Sequence, residues 1–136
     1  MLGCATSYAQ SEQDSIGIYR LLQKAQRIRL NKPDSTIYYA KQVLPLLKPQ
    51  NNYLNGFAYY QLAYSNWVKA NYKLSAEYGY RALKYMEHTD HDYEKSLILL
   101  ELARTFIDLN NDEEGRKYLA KVYNLAINHP EDPLIL

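Results

Sequence analysis

The sequence predicts an all-α fold, an α-solenoid of about three helix-turn-helix repeats with a 40-residue period. Residues 11–50, 51–90 and 91–130 align without gaps, which puts Leu22, Leu62 and Leu102 in one column. Asn31, Asn71 and Asn111 share a second column, and Tyr38, Tyr78 and Tyr118 a third. Lys41, Arg81 and Lys121 share a charge, while Ser35, Ser75 and Gly115 form a column of small residues. Within each block the apolar residues recur at i, i+3, i+4 and i+7, the spacing of an amphipathic helix. Long alternating runs of β-branched residues, which would argue for strands, are absent.

Residues 1–10, "MLGCATSYAQ", read as a leader separate from the repeats. Ser7 and Ala9 flank Tyr8 in an A-x-A-like cleavage context, and "LGC" at Leu2 to Cys4 resembles the end of a bacterial lipoprotein signal. The reading is an export-signal remnant, cleaved after Ala9 or lipidated on Cys4; its alternative is a disordered terminus. The first repeat, 11–50, opens with a helix carrying Ile18, Tyr19, Leu22 and Ala25. Its second helix follows "NKPD", with Pro33 near the first turn, where a missing N–H costs little. That helix carries Tyr38, Tyr39, Val43, Leu46 and Leu47, and Pro45 should kink it or end it near Leu44. The second repeat, 51–90, places Ala58, Tyr59, Leu62 and Ser65 on one helix and Tyr78, Ala82, Leu83 and Met86 on the other.

In the third repeat, 91–130, Ile98, Leu99, Leu102, Thr105 and Phe106 are followed by Tyr118, Leu119, Val122 and Ala126. Each asparagine of the shared column falls between paired helices, where it can adopt left-handed geometry or cap the next helix. "NDEE" at Asn111 to Glu114 has capping-box spacing. The tyrosine column is expected on the inner face of each second helix, against the first helices of its own and the next repeat. Residues 131–136 read as the start of a further helix or a capping segment.

Composition narrows the function. A chain of 136 residues can bury roughly two-thirds of its unfolded surface, enough for a core without metal or disulfide. Tyrosine occurs 15 times against two Phe and one Trp, which suits the many half-buried positions of a thin helical array. The net charge of +1 gives no electrostatic footprint for nucleic acid, and no apolar run approaches the roughly 18 residues of a membrane span. The single cysteine, Cys4, rules out an intramolecular disulfide.

The columns resemble the tetratricopeptide repeat, whose signature is W-x2-L-G-x2-Y, then A-x3-F, then P. The second block has Tyr59-x2-Leu62-Ala63, a turn at Asn71-Tyr72, then Ser75, Gly79 and Ala82. The third has Leu99-x2-Leu102-Ala103-x2-Phe106 with Gly115 and Leu119, and the first has Tyr19-x2-Leu22 with Ser35 and Tyr39. The resemblance covers residues 12–129, with a period of 40 in place of about 34 and Asn66 where the signature has Tyr. Other two-helix solenoids remain the alternative.

The resemblance implies a right-handed solenoid that binds an extended peptide or helix in a concave groove lined by the first helices. By position it implies Arg20, Lys24 and Arg27 from the first repeat, and Phe57, Tyr60, Tyr64 and Trp67 from the second. The third contributes Arg104, Ile107 and Asp108. Arg20, Lys24 and Arg27 share a helix face and could hold a carboxylate beside the aromatic stretch. The bland reading makes them a solvated basic face, with Tyr60 and Trp67 packing between helices.

No enzyme and no cofactor is expected. Nucleophile-elbow and P-loop spacings do not occur, and the only cysteine lies in the leader. His88 and His91 with Asp90 and Asp92 have the residue types of a metal site but read as a solvated loop, so no metal is assigned. His129 suits the negative end of a helix. The expectation is a non-catalytic module binding a protein or peptide segment, possible as the sensor region of a longer signalling protein. It would be exported, periplasmic or lipid-anchored, and cytoplasmic if the leader is no signal remnant. The alternative is a structural segment that forms a homo-oligomer through the exposed ends of its solenoid.

Overall fold

Helix-forming patterns fill nearly all of the chain and leave only short turns to connect them. The structure, a computed structural model, describes the backbone of residues 2–129 and the side chains of residues 12–129. Six helices and no strand occur among the described residues. They are α1 (Leu2–Ile28), α2 (Pro33–Val43), α3 (Asn52–Val68), α4 (Tyr72–Met86), α5 (Asp92–Asp108) and α6 (Asp112–Asn128). None is long and apolar enough to cross a membrane. The α1 backbone runs without a break from Leu2 into the first repeat. The expectations for Cys4 and Ala9 concern side chains outside the described ones, and residues 131–136 lie outside as well.

Consecutive helices pack antiparallel. Ser75 Oγ, early in α4, donates to Ala63 O late in α3 at 2.8 Å, whereas Met86 at the end of α4 lies against Gly56 near the start of α3. The next junction repeats the arrangement, with Ser75 Oγ 3.2 Å from Thr105 Oγ1 near the end of α5. The substantial contacts run between sequence neighbours, and α3 also touches both α1 and α5. Leu22, Leu62 and Leu102 are all buried, as their shared column predicts. Tyr53 and Tyr59 pack against both groups of core residues and join them into one interior.

The turns explain the asparagine column. At the end of α5 the Asn110 N–H bonds Ile107 O and the Asn111 N–H bonds Phe106 O. With Asn110 at φ 59°, this is a Schellman cap. Ala70 at φ 62° ends α3 in the same way, through Ala70 N to Trp67 O and Asn71 N to Asn66 O. The left-handed residue therefore precedes the shared asparagine, which begins the next helix. Asn111 Oδ1 accepts from the Glu114 N–H at 3.2 Å, one arm of the capping box. The Asn111 N–H already belongs to the Schellman cap, and the Glu114 carboxylate pairs with Lys117 at 3.3 Å.

The first turn departs from the gapless alignment. Residues 29–32 separate α1 from α2, whereas 69–71 and 109–111 suffice in the other pairs, so α2 is shifted by one residue. Thr36, Ala40 and Val43 consequently take the buried places of Ser75, Gly79 and Ala82. Thr36 Oγ1 donates to Ala25 O at 2.7 Å. Tyr38 is 60% exposed for the same reason, while Tyr118 is buried and Tyr78 half-buried, so the tyrosine column does not share one environment. Pro45 sits in a 3₁₀ turn, Leu44–Leu46, where α2 ends.

Two substitutions test this account. Ala70→Gly should raise unfolding stability by roughly 1 kcal/mol, because glycine accepts the left-handed φ without a Cβ clash. Leu102→Ala should lower it by about 3–5 kcal/mol, because the side chain is buried and touches Gly79 across the α4–α5 junction. Denaturant melts read both, and a destabilised Ala70→Gly would contradict the turn geometry.

Candidate functional site

Helical spacing puts Tyr60, Tyr64 and Trp67 along α3, and the equivalent stretch of α5 carries Leu100, Arg104 and Ile107. Between the two helices lies an open cleft of about 500 Å³. Tyr60, Tyr64, Glu101, Arg104 and Asp108 line it together with Arg29, which enters from the α1–α2 turn. Leu97, Leu100 and Ile107 of α5 and Leu119 of α6 form its apolar side.

Two guanidinium groups alternate with three rings. Arg29 Cζ lies 5.1 Å from the Tyr60 centroid and 3.7 Å from that of Tyr64. Arg104 Cζ lies 5.1 Å from Tyr64 and 3.4 Å from Trp67. Each such contact contributes roughly 0.5–2 kcal/mol and, more usefully here, holds a long flexible side chain in place. Arg29 Nη1 donates to Gln61 Oε1 at 3.3 Å, and Arg104 pairs with Glu101. The Trp67 indole N–H donates to Asp108 Oδ2 at 2.6 Å, tying α3 to α5 at the edge of the cleft.

Beneath the rings are polar atoms whose bonding capacity is unused. Glu101 is only 3% exposed, and its Oε1 has no hydrogen-bond partner among the described residues. Gln61 Nε2 and Arg104 Nε are likewise buried without partners. Burial raises the Glu101 carboxyl above its ordinary pKa, with Arg104 opposing the shift. The Tyr60 hydroxyl is raised by burial as well, against the nearby Arg29 charge.

The sequence-derived site residues divide into three groups. Tyr60, Tyr64, Arg104, Ile107 and Asp108 meet in the cleft, and Trp67 borders it through Arg104 and Asp108. Phe57 is instead a core residue, stacked on Tyr53 at 6.0 Å with 14° between the rings. Arg20, Lys24 and Arg27 are exposed along α1 and are not among the side chains lining the cleft. The cation that does reach it from the first pair is Arg29, which sequence reasoning missed because it lies in the turn, beyond the helical phase. Gln61 and Glu101 were missed too, although they recur at the 40-residue spacing and carried that signal.

The histidines make other contacts. The His91 ring packs 4.1 Å from that of Tyr53. His129 Nε2 lies 2.5 Å from Asp92 Oδ2, and Lys95 Nζ lies 3.0 Å from the other carboxylate oxygen. The Lys95 hydrogen bond and then that of His129 hold the Asp92 carboxyl below the usual range, against its partial desolvation. Among the described residues no three His, Cys, Asp or Glu side chains converge on a point that could hold a metal ion.

Comparison of the chain with protein-family models, curated proteins and solved structures finds no match.

The buried carboxyl yields a pH test. Its folded pKa is raised above the unfolded value of about 4.3, so its contribution to stability is greatest below that value. The contribution declines as pH rises through the folded pKa. Glu101→Gln cannot ionise and should therefore gain stability relative to the parent across that interval. Denaturant midpoints of the two proteins measured against pH report the difference, and a flat difference would remove burial as the controlling influence.

Proposed function

We propose that the chain is a non-catalytic interaction module, a tetratricopeptide-type solenoid that holds a protein or peptide segment in the cleft between α3 and α5. The observation that carries this reading is the pair of guanidinium groups stacked on Tyr64, each making one side-chain hydrogen bond among the described residues. Held by its faces, the Arg29 guanidinium keeps N–H groups for a carboxylate, as a flexible lysine would not, while Arg104, engaged by Glu101, fixes the far side of Tyr64. Leu97, Leu100, Ile107 and Leu119 would cover the apolar body of the segment. Exposed Arg20, Lys24 and Arg27 would act outside the cleft, drawing an acidic segment towards it.

No catalytic step is assigned. Glu101 is engaged by Arg104, and among the described residues no serine, cysteine or lysine lines the cleft. A place as the sensor region of a longer exported signalling protein belongs to the same proposal, supported by the leader's resemblance to a lipoprotein signal.

Trp67 is the chain's single tryptophan and borders the cleft, so its fluorescence reports occupancy. Titration with a peptide pool bearing free C-termini should give a saturable shift that weakens with salt, and the amidated pool should give less. Arg29→Ala should weaken binding about tenfold, the loss expected for one charge-assisted contact. A flat trace with both pools would overturn the proposal.

A further inference from the structure

The basic column Lys41, Arg81 and Lys121 takes no part in the cleft, and its middle member lines a different hollow. Arg81, Lys84, Tyr85 and His88 follow i, i+3, i+4 and i+7 spacing, which puts them on one face at the end of α4. Asn52 and Tyr59, seven residues apart on α3, meet that face across the antiparallel junction. Together these side chains line a second pocket of about 330 Å³, within the size range of small-ligand sites. It shares no lining residue with the cleft.

Every one of these side chains can donate a hydrogen bond, and none is a carboxylate. In a chain with 16 basic and 15 acidic residues, Arg81 and Lys84 make this a local excess of positive charge before His88 is counted. Arg81 Cζ lies 5.8 Å from the centroids of both Tyr59 and Tyr78, and Tyr59 stacks on Tyr85 at 5.9 Å. The rings hold the guanidinium at the pocket wall by its face and leave its N–H groups for a ligand. Among the described residues neither Arg81 nor Lys84 forms an ion pair. Glu77, one turn before Arg81 on α4, lies outside the lining. The positive end of α3 and the negative end of α4 meet here and offset one another, so the side chains set the local charge.

Repeat packing does not require this set of donors. At the same positions of the last pair Asp92, Leu99, Asn124 and Asn128 replace Asn52, Tyr59, Lys84 and His88, although α5 and α6 pack as α3 and α4 do. Of the pocket's cations only Arg81 has a basic counterpart there, Lys121, which lies over Tyr118 at 5.2 Å. We propose that the pocket between α3 and α4 binds a phosphate monoester. Near neutral pH such a group carries close to two negative charges and presents three acceptor oxygens. It matches Arg81 and Lys84 in charge and the donor-only lining in hydrogen bonding, whereas a carboxylate neutralises one of the two cations only. The site is independent of the peptide reading of the cleft.

Calorimetric titration of the 136-residue chain with phenyl phosphate should show saturable binding. Benzoate, which has the same ring but a single charge, should bind about tenfold more weakly or worse. Arg81→Gln and Lys84→Gln should each weaken phenyl phosphate binding about tenfold, while Lys121→Gln, in the same basic column, should leave it unchanged. All three side chains are exposed, so the substitutions spare the core. A phosphoserine peptide and adenosine 5′-monophosphate, titrated in parallel, distinguish an ester carried by a protein from one carried by a nucleotide, and binding of either that is lost in Arg81→Gln upholds the proposal. No saturation by phenyl phosphate, equal binding of benzoate, or Arg81→Gln and Lys84→Gln proteins that bind as the parent does would each overturn it. Inorganic phosphate that binds as tightly as the ester would assign the pocket to the free ion and overturn it too. Arg29→Ala should bind phenyl phosphate unchanged; a loss there would put the anion in the cleft, so failure of this proposal is distinguishable from failure of the peptide reading.

Discussion

The turn between paired helices is the constraint on which the other features depend. A helix rotates each successive side chain by about 100°, so one residue more or less in a turn changes which face of the next helix meets the core. After α3 and α5, one left-handed residue closes the C-terminus and the next begins the following helix. That economy leaves no slack and fixes the phase of α4 and α6. The longer first turn re-phases α2, buries Thr36, Ala40 and Val43, and turns Tyr38 outward. Arg29, the first residue of that turn, stands where the other pairs have Lys69 and Leu109, and it reaches the ring of Tyr64.

The cleft combines two electrostatic conditions. Guanidinium groups stacked on rings lose little by partial desolvation, because they are weakly hydrated and the ring faces attract them. A carboxylate is less tolerant, and Glu101, enclosed between helices, is held by Arg104 at one oxygen only. Arg104 links the two conditions, since it both stacks on Trp67 and neutralises Glu101. Its position is therefore coupled to the protonation of the acid beneath it. The Trp67–Asp108 bond closes the same edge and makes the lone tryptophan part of the α3–α5 contact.

Tyrosine serves different purposes along the chain. Tyr59 stacks between Tyr78 and Tyr85 at 6.0 and 5.9 Å, joining α3 to α4 on the side away from the cleft residues. Tyr118 lies parallel to Phe106 at 5.7 Å and joins α5 to α6. Among the described residues Tyr123 makes no comparable stack, and it stands exposed on α6. A ring with a polar tip can occupy all of these settings, from core seam to open face, at tolerable cost.

The all-α character, the helix pairing and the buried leucine column were legible in the sequence because each rests on local periodicity. Leu22, Leu62 and Leu102 recur at the spacing of the pairs, and any helix in that register must turn them inward. Pro33 and Pro45 marked the limits of α2 through their own covalent geometry. Part of the cleft was reached as well, since the resemblance to a two-helix repeat singled out Tyr60, Tyr64, Arg104 and Asp108 by position on two equivalent helices. The tertiary structure decided the rest. A basic run such as Arg20, Lys24 and Arg27 carries no information about which neighbour its helix face meets, whereas Arg29 acquires its partners only when α3 packs beside the first turn. Phe57 joined the core and Glu101 became enclosed for the same reason: burial of a side chain is set by the helix laid against it, and the identity of that helix is not a local property of the sequence.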